Sequence, residues 1–123
     1  MAISEKVAYE PGAGAPVVLG CHRRGGAWVV ELTGELDLDA VPQVRAAADR
    51  VIAAGGRRIV LDTRSVTFAD SSSLNLLLQL NGETHLCLAA PSEPVRRLLD
   101  ITGASAVLRT TASLGEALDA LGL

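Results

Sequence analysis

Aromatic residues are almost absent from this 123-residue chain, which contains one tyrosine, one tryptophan and one phenylalanine. Because 49% of the residues are nevertheless hydrophobic, the core has to be built from leucine, valine, isoleucine and alanine. Aliphatic side chains of this kind favour layered α/β packing over a β-barrel with aromatic corners. The length supports one domain and is too short for two.

Several other protein classes are disfavoured by what the sequence does not contain. No apolar run approaches the roughly 20 residues that a membrane-spanning helix needs, and the first residues do not follow the pattern of a signal peptide. The net charge is −3 and there is no long basic tract, so nucleic acid is not an expected partner. Cys21 and Cys87 are isolated thiols, which suits a reducing compartment. We therefore expect a cytoplasmic protein without a membrane span.

Motifs of common enzymes are missing as well, including phosphate-binding glycine loops, CxxC, HExxH and GxSxG. His85 and Cys87 would share one face of a strand, but no further ligand lies nearby, so packing is favoured over metal or thiol chemistry. Glu35, Asp37 and Asp39 could together bind a divalent cation, yet they lack the glycine and distal glutamate of a calcium loop. Capping of the next helix by Asp39 is the favoured role.

The remaining pattern alternates short apolar runs with amphipathic helices. Residues 1–16 are predicted to be a loose lead-in or edge strand, and residues 17–123 the domain. The predicted elements are a hairpin (Val17–His22 and Ala27–Thr33), a helix from Asp39 to Gly55, a strand in RRIVLD, a turn and a helix from about Ser71 to Leu80, a strand in ETHLCLAA, a helix in PSEPVRRLLDITG, a strand in SAVLRT and a helix in SLGEALDALGL. This order predicts an α/β domain with a mixed, mostly parallel sheet of about five strands and about four helices.

Three serines follow Asp70 where a strand is expected to pass into a helix, in the stretch VTFADSSSLNLLLQLNG. Aspartate and serine side chains accept hydrogen bonds from the free N–H groups of a first helical turn. Capping accounts for one or two of these hydroxyls, so at least one serine should be exposed and open to phosphorylation. A phosphate would add about −1.5 to −2 charges there. A hydrolytic serine would need a base, and neither histidine can be placed beside it.

The chain resembles the STAS-domain family and, within it, the bacterial anti-sigma factor antagonists. The similarity lies in VVELTGELDLDAVPQV, RRIVLDTRSVTFADSSSLNLLL and LCLAAPSEPVRRLLDITGA, and it extends from residue 17 to about residue 120. The resemblance implies a protein that binds an anti-sigma factor serine kinase of the GHKL ATPase type and thereby frees a sigma factor. Phosphorylation by that kinase ends the interaction, and a PP2C-type phosphatase restores it. No cofactor and no metal are implied.

Carried over by position, the resemblance implies that Ser71 is the phosphorylated residue, with Ser72 as the second candidate. Asp37 matches an acidic residue of the partner-facing loop. The partner-binding residues implied in this way are Asp37, Asp70, Ser71, Ser72, Ser73 and Asn75.

Two features differ from the family pattern. Ser73 stands where the family usually has glycine, and the interval before the next strand is shorter by about seven residues, or roughly two helical turns, which predicts a helix cut back at its far end. The alternative function is a STAS module that is not phosphorylated, such as an accessory subunit of a lipid-transport complex or a stressosome-like scaffold. A small hydrolase dependent on His85 or Cys87 is a third hypothesis.

Overall fold

The computed structural model describes residues 15–121, so most of the predicted lead-in, residues 1–14, lies outside the described residues. The strands are β1 (Val18–Arg24), β2 (Ala27–Leu36), β3 (Arg58–Ala69), β4 (His85–Ala89) and β5 (Thr110–Thr111). The helices are α1 (Val41–Ala53), α2 (Ser71–Glu83), α3 (Glu93–Thr102) and α4 (Leu114–Ala120), with a 3₁₀ helix at Ala104–Ala106. The predicted fold class and element order are confirmed.

The five strands form one sheet in the order β1-β2-β3-β4-β5. β1 is antiparallel to β2, whereas β2, β3, β4 and β5 are all parallel. A crossover containing a helix connects each parallel strand to the next one, as parallel pairing requires. The sheet therefore has a C-terminal edge, where β2 ends at Leu36 and β3 at Ala69, and an N-terminal edge, where β3 begins at Arg58 and β4 at His85.

Helices cover both faces of the sheet. Side chains of successive strand residues point to opposite faces, so their contacts show which helices pack on each face. Val30, Leu61 and Leu88 belong to the core cluster that also contains the buried residues of α1, α2 and α3. The intervening residues pack against α4 in a second cluster, which comprises Ala27, Val29, Val60, Cys87, Ala89, Ala117 and Leu121. Within residues 15–121 no helix has the length and apolar content needed to cross a bilayer.

Several elements differ in length from the prediction, among them β2, which continues to Leu36 instead of Thr33. β3 does not turn after RRIVLD but continues to Ala69, because it stays paired with β2 as far as Leu36. The predicted strand in SAVLRT shrinks to Thr110–Thr111, since the 3₁₀ helix precedes it and Leu108 is buried in the core.

Helix α2 is also longer than predicted, running to Glu83 instead of Leu80. Its last turn is held from α1, where the Arg45 guanidinium donates hydrogen bonds to both carboxylate oxygens of Glu83. The Thr84 backbone N–H and hydroxyl then donate to the Leu80 carbonyl oxygen, at 2.9 and 2.8 Å. Thr84 is the only residue between α2 and β4. The short interval therefore accommodates a helix of 13 residues with a one-residue connection to the next strand.

Gly56, in the connection from α1 to β3, is fixed by close packing. A Cβ atom added there would lie 2.6 Å from Val51 Cγ1 and 2.8 Å from Trp28 Cδ1. We expect Gly56→Ala to lower the free energy of unfolding by about 1–3 kcal/mol, as overpacking does. Gly82→Ala is the control, since its Cβ would meet nothing within 4 Å, and it should raise stability by about 0.5–1 kcal/mol. Urea denaturation measures both, and equal effects would contradict the packing argument.

Candidate functional site

Two segments that are distant in the sequence meet at the C-terminal edge of the sheet. Parallel pairing places Leu36 of β2 opposite Ala69 of β3, and the Asp70 backbone N–H donates to the Leu36 carbonyl oxygen at 3.4 Å. Asp37 and Asp70 are the next residues along their strands. The loop containing GELD and the junction containing the three serines are therefore neighbours.

Asp70 caps helix α2. Its backbone is extended (φ −127°, ψ −173°), and its carboxylate accepts hydrogen bonds from the backbone N–H groups of Ser72 and Ser73. The distances to Asp70 Oδ1 are 3.0 and 3.4 Å. An aspartate at this position satisfies two donors that the helix itself cannot pair, and its charge complements the helix dipole.

The three serines that follow have different environments. Ser73 is 4% exposed, and its hydroxyl donates to the Asp70 carbonyl oxygen at 2.7 Å. Ser72 is half-buried, and Ser71 is exposed. The serine that stands in place of the family's glycine is therefore accommodated inward with its hydrogen bond satisfied, and Ser71 is the serine presented to solvent.

Asp37 has a structural role that the sequence analysis gave to Asp39. The Asp37 Oδ1 atom accepts hydrogen bonds from the backbone N–H groups of Asp39 and Ala40, at 3.1 and 3.2 Å. The N-cap position of α1 is occupied by Ala40, which makes no side-chain cap bond, and Asp39 is exposed. The predicted cap at Asp39 is wrong because the chain turns at Asp37, two residues before the expected position.

An open groove of about 500 Å³ lies beside Ser71, between the loop after β2 and the outer face of α2. Its lining residues are Leu38, Val41, Ser71, Ser72, Leu74, Asn75, Leu76 and Gln79. Asn75, predicted as a partner contact, lies one helical turn after Ser71, and Leu38 is 70% exposed.

Sequence reasoning did not include the groove residues Leu38, Leu74 and Gln79. Leu74 is half-buried: it packs against the core and also lines the groove, so its apolar character gave no signal of a contact surface. Leu38 is an apolar residue between two acids in a loop, and single exposed apolar residues are too common to mark a contact surface.

Neither histidine is near Ser71. His85 is opposite Arg58 at the start of β3, so the length of β3, on the order of 30 Å, separates it from the serines. His22 pairs with Val29 in the first part of β2. Burial raises the pKa of the Cys87 thiol, which keeps it protonated at neutral pH. Within residues 15–121, neither histidine is placed to act as a base for Ser71, and the hydrogen-bond contacts of Cys87 Sγ are with the Leu88 carbonyl oxygen and the Thr111 hydroxyl.

Metal binding finds no support in the geometry of the described part of the chain. Residues 15–121 contain no group of three or more histidine, cysteine, aspartate or glutamate side chains placed to hold a metal ion. The cation site considered for Glu35, Asp37 and Asp39 is thus not formed. Asp37 instead directs one carboxylate oxygen to the backbone of its own loop.

Comparison with known proteins identifies the family. Residues 21–117 match the STAS domain, and the chain belongs to the STAS-domain family. A STAS-domain containing protein of Pseudomonas aeruginosa is 37% identical over 83 residues, which cover 63% of this chain and 81% of that protein. The family resemblance predicted from the sequence is confirmed.

Several solved structures with a similar fold are anti-sigma factor antagonists. One from Mycobacterium paratuberculosis shares the fold at a TM-score of 0.76, with 24% identity and coverage of 91% of this chain and 97% of that chain. SpoIIAA in its unphosphorylated form gives a TM-score of 0.69 with 27% identity, covering 83% and 94%. The Bacillus cell fate determinant SpoIIAA in its phosphorylated form gives 0.63 with 27% identity, covering 83% and 97%.

The two acids of the loop after β2 should differ in their contribution to stability. Asp37→Ala removes the acceptor for two backbone N–H groups, and we expect it to lower the free energy of unfolding by about 1 kcal/mol. Asp39→Ala removes an exposed side chain and should stay within about 0.5 kcal/mol of the wild type. Chemical denaturation followed by circular dichroism measures both. A larger effect at Asp39 would contradict the assigned turn.

Proposed function

We propose that this protein is an anti-sigma factor antagonist. In this proposal it binds an anti-sigma factor serine kinase of the GHKL ATPase type and so frees a sigma factor, until phosphorylation of Ser71 ends the interaction. The observation that carries the proposal is that Ser71 is the exposed serine of the three, at the rim of an open groove. The antagonist function of the structural neighbours supports it.

The position of Ser71 allows a phosphate to be added without disrupting the fold. Ser71 is the first residue of α2, where the positive end of the helix dipole favours negative charge. The capping bonds of Asp70 go to the backbone of Ser72 and Ser73, and no hydrogen bond of the described residues uses the Ser71 hydroxyl. Phosphorylation therefore leaves the first turn of the helix with its existing hydrogen bonds.

The same phosphate would oppose docking of a partner. The groove places the exposed side chain of Leu38 beside Ser71, so a bound partner would remove this surface from water. A phosphate carries about −1.5 to −2 charges and would have to be desolvated in that interface, next to the carboxylate of Asp70. Docking is then unfavourable while folding is not.

The proposal also includes removal of the phosphate and the compartment in which the protein acts. A PP2C-type phosphatase would remove the phosphate and restore the docking surface. ATP would be bound by the kinase, so this chain needs no cofactor of its own. The expected location is the cytoplasm, which remains a prediction.

Phosphorylation tests the identity of the acceptor residue. The full chain is incubated with candidate anti-sigma kinases and ATP, and the phosphate is located by mass spectrometry. We expect one phosphate on Ser71, its loss in Ser71→Ala, and its retention in Ser72→Ala, because Ser71 is exposed whereas Ser72 is half-buried. Phosphate on Ser72 alone, or none with any cognate kinase, contradicts the proposal.

A charge control separates phosphorylation from the loss of a hydroxyl. Ser71→Asp should weaken kinase binding and Ser71→Ala should retain it, as measured by calorimetry. Equal affinities for the two variants would rule out the charge mechanism. Kinase binding that persists without any phosphorylation would instead favour the non-switching STAS module.

Substitution of two exposed leucines tests whether the groove is the docking surface for the kinase. Leu38 is 70% exposed inside the groove, and Leu19 is 65% exposed on β1, outside it. We expect Leu38→Ala to weaken kinase binding about tenfold, the size of an apolar interface contact, whereas Leu19→Ala should leave the affinity unchanged. Biolayer interferometry with the unphosphorylated protein measures both. A loss with Leu19→Ala and none with Leu38→Ala would move the docking surface to β1.

A further inference from the structure

Basic side chains gather at the N-terminal edge of the sheet, opposite the edge that carries Ser71. A cleft of about 330 Å³ is lined there by Arg23, Arg57, Arg58 and His85. We refer to these four residues as the basic cleft. They come from three separate parts of the chain, although the protein as a whole has a net charge of −3.

The topology explains why these residues meet. β1 is antiparallel to β2, so its last residues, including Arg23, lie where β2 begins. Arg58 opens β3 and is paired in register with His85, which opens β4. The His85 backbone N–H donates to the Arg57 carbonyl oxygen at 2.7 Å. The sheet therefore holds the three segments together at one edge.

The cleft is shaped by close packing beneath it. Gly55 has a φ of 88°, a left-handed conformation that glycine adopts without strain. Gly56 lies so close to Trp28 that a Cβ atom would be 2.9 Å from its indole nitrogen. These residues also line the cleft, so its floor is formed by ordered and tightly packed backbone and ring atoms.

The arginines of the basic cleft have no acidic partners among residues 15–121. The ion pairs in that range are those of Arg45, Arg64 and Arg97. The side chains of the basic cleft are exposed, and like charges gathered at one edge of the sheet repel each other and raise the local positive potential. That potential is relieved when an anion binds.

We infer that the basic cleft binds a small oligophosphate anion, meaning a soluble molecule with two or more linked phosphate groups. Guanidinium groups bind phosphate through paired hydrogen bonds, and arginines on two segments together with a histidine on a third line one cleft, so linked phosphate groups can contact them at the same time. The volume lies at the lower end of the range for small-molecule sites. The site is at the opposite end of β3 from Ser71, so this inference does not depend on the proposed function.

Titration of the full-length protein with tripolyphosphate by isothermal calorimetry tests the inference. Arg57→Gln combined with Arg58→Gln should weaken binding about tenfold or more, because two charged hydrogen-bonding groups are lost. Arg96→Gln combined with Arg97→Gln is the matched control. It removes another adjacent pair of exposed arginines, on α3, and should change the affinity less than about twofold.

A single variant on another segment distinguishes loss of the anion site from a local folding defect around Arg57 and Arg58. Arg23→Gln, on β1, should also weaken binding, and thermal melting should show that each variant folds. No saturable binding of tripolyphosphate, or equal losses in the two double variants, would overturn the inference. Binding to phosphatidylglycerol vesicles without binding to tripolyphosphate would overturn it too, because the anion would then be a membrane surface. Kinase binding and Ser71 phosphorylation are separate measurements, so either proposal can fail alone.

Discussion

The parallel pairing of β2 with β3 is the interaction on which both ends of the molecule depend. It runs from Trp28 opposite Ile59 to Leu36 opposite Ala69, and it lies in the middle of the sheet with helices on both faces. At one end it brings the loop of Asp37 beside the cap of α2. At the other end it fixes the arginines that flank the start of β3. A shift of register would separate the residues of both sites.

Element order and type were predictable because apolar spacing differs so clearly between strands and helices. Boundaries were less predictable where tertiary pairing extends an element. The second half of β3 contains the exposed residues Arg64, Ser65 and Thr67, and it gives no buried pattern of its own. It is a strand because β2 continues beside it. A tertiary contact also accompanies the extension of α2 beyond Leu80, since Arg45 of a neighbouring helix forms an ion pair with Glu83 in the last turn.

The structure brings the two segments of the candidate site together, but the structural roles of the individual residues did not follow from the sequence. Asp37 and Asp39 both precede a helix with the spacing of a cap, and the path of the backbone decides between them. Ser73 differs from the family's glycine, yet a hydroxyl of its size fits against the Asp70 carbonyl oxygen. The orientation of α2 decides which serine faces solvent. That orientation depends on the packing of the buried face of α2 against the core.

The direct junction between α2 and β4 has a consequence for recognition. Because Thr84 alone joins the two elements, α2 cannot slide or rotate without displacing the first residues of β4. The helix is thus anchored at both ends, by the Asp70 cap and by the Thr84 junction. Under the proposed function, a helix anchored in this way would lose little conformational entropy when a partner binds.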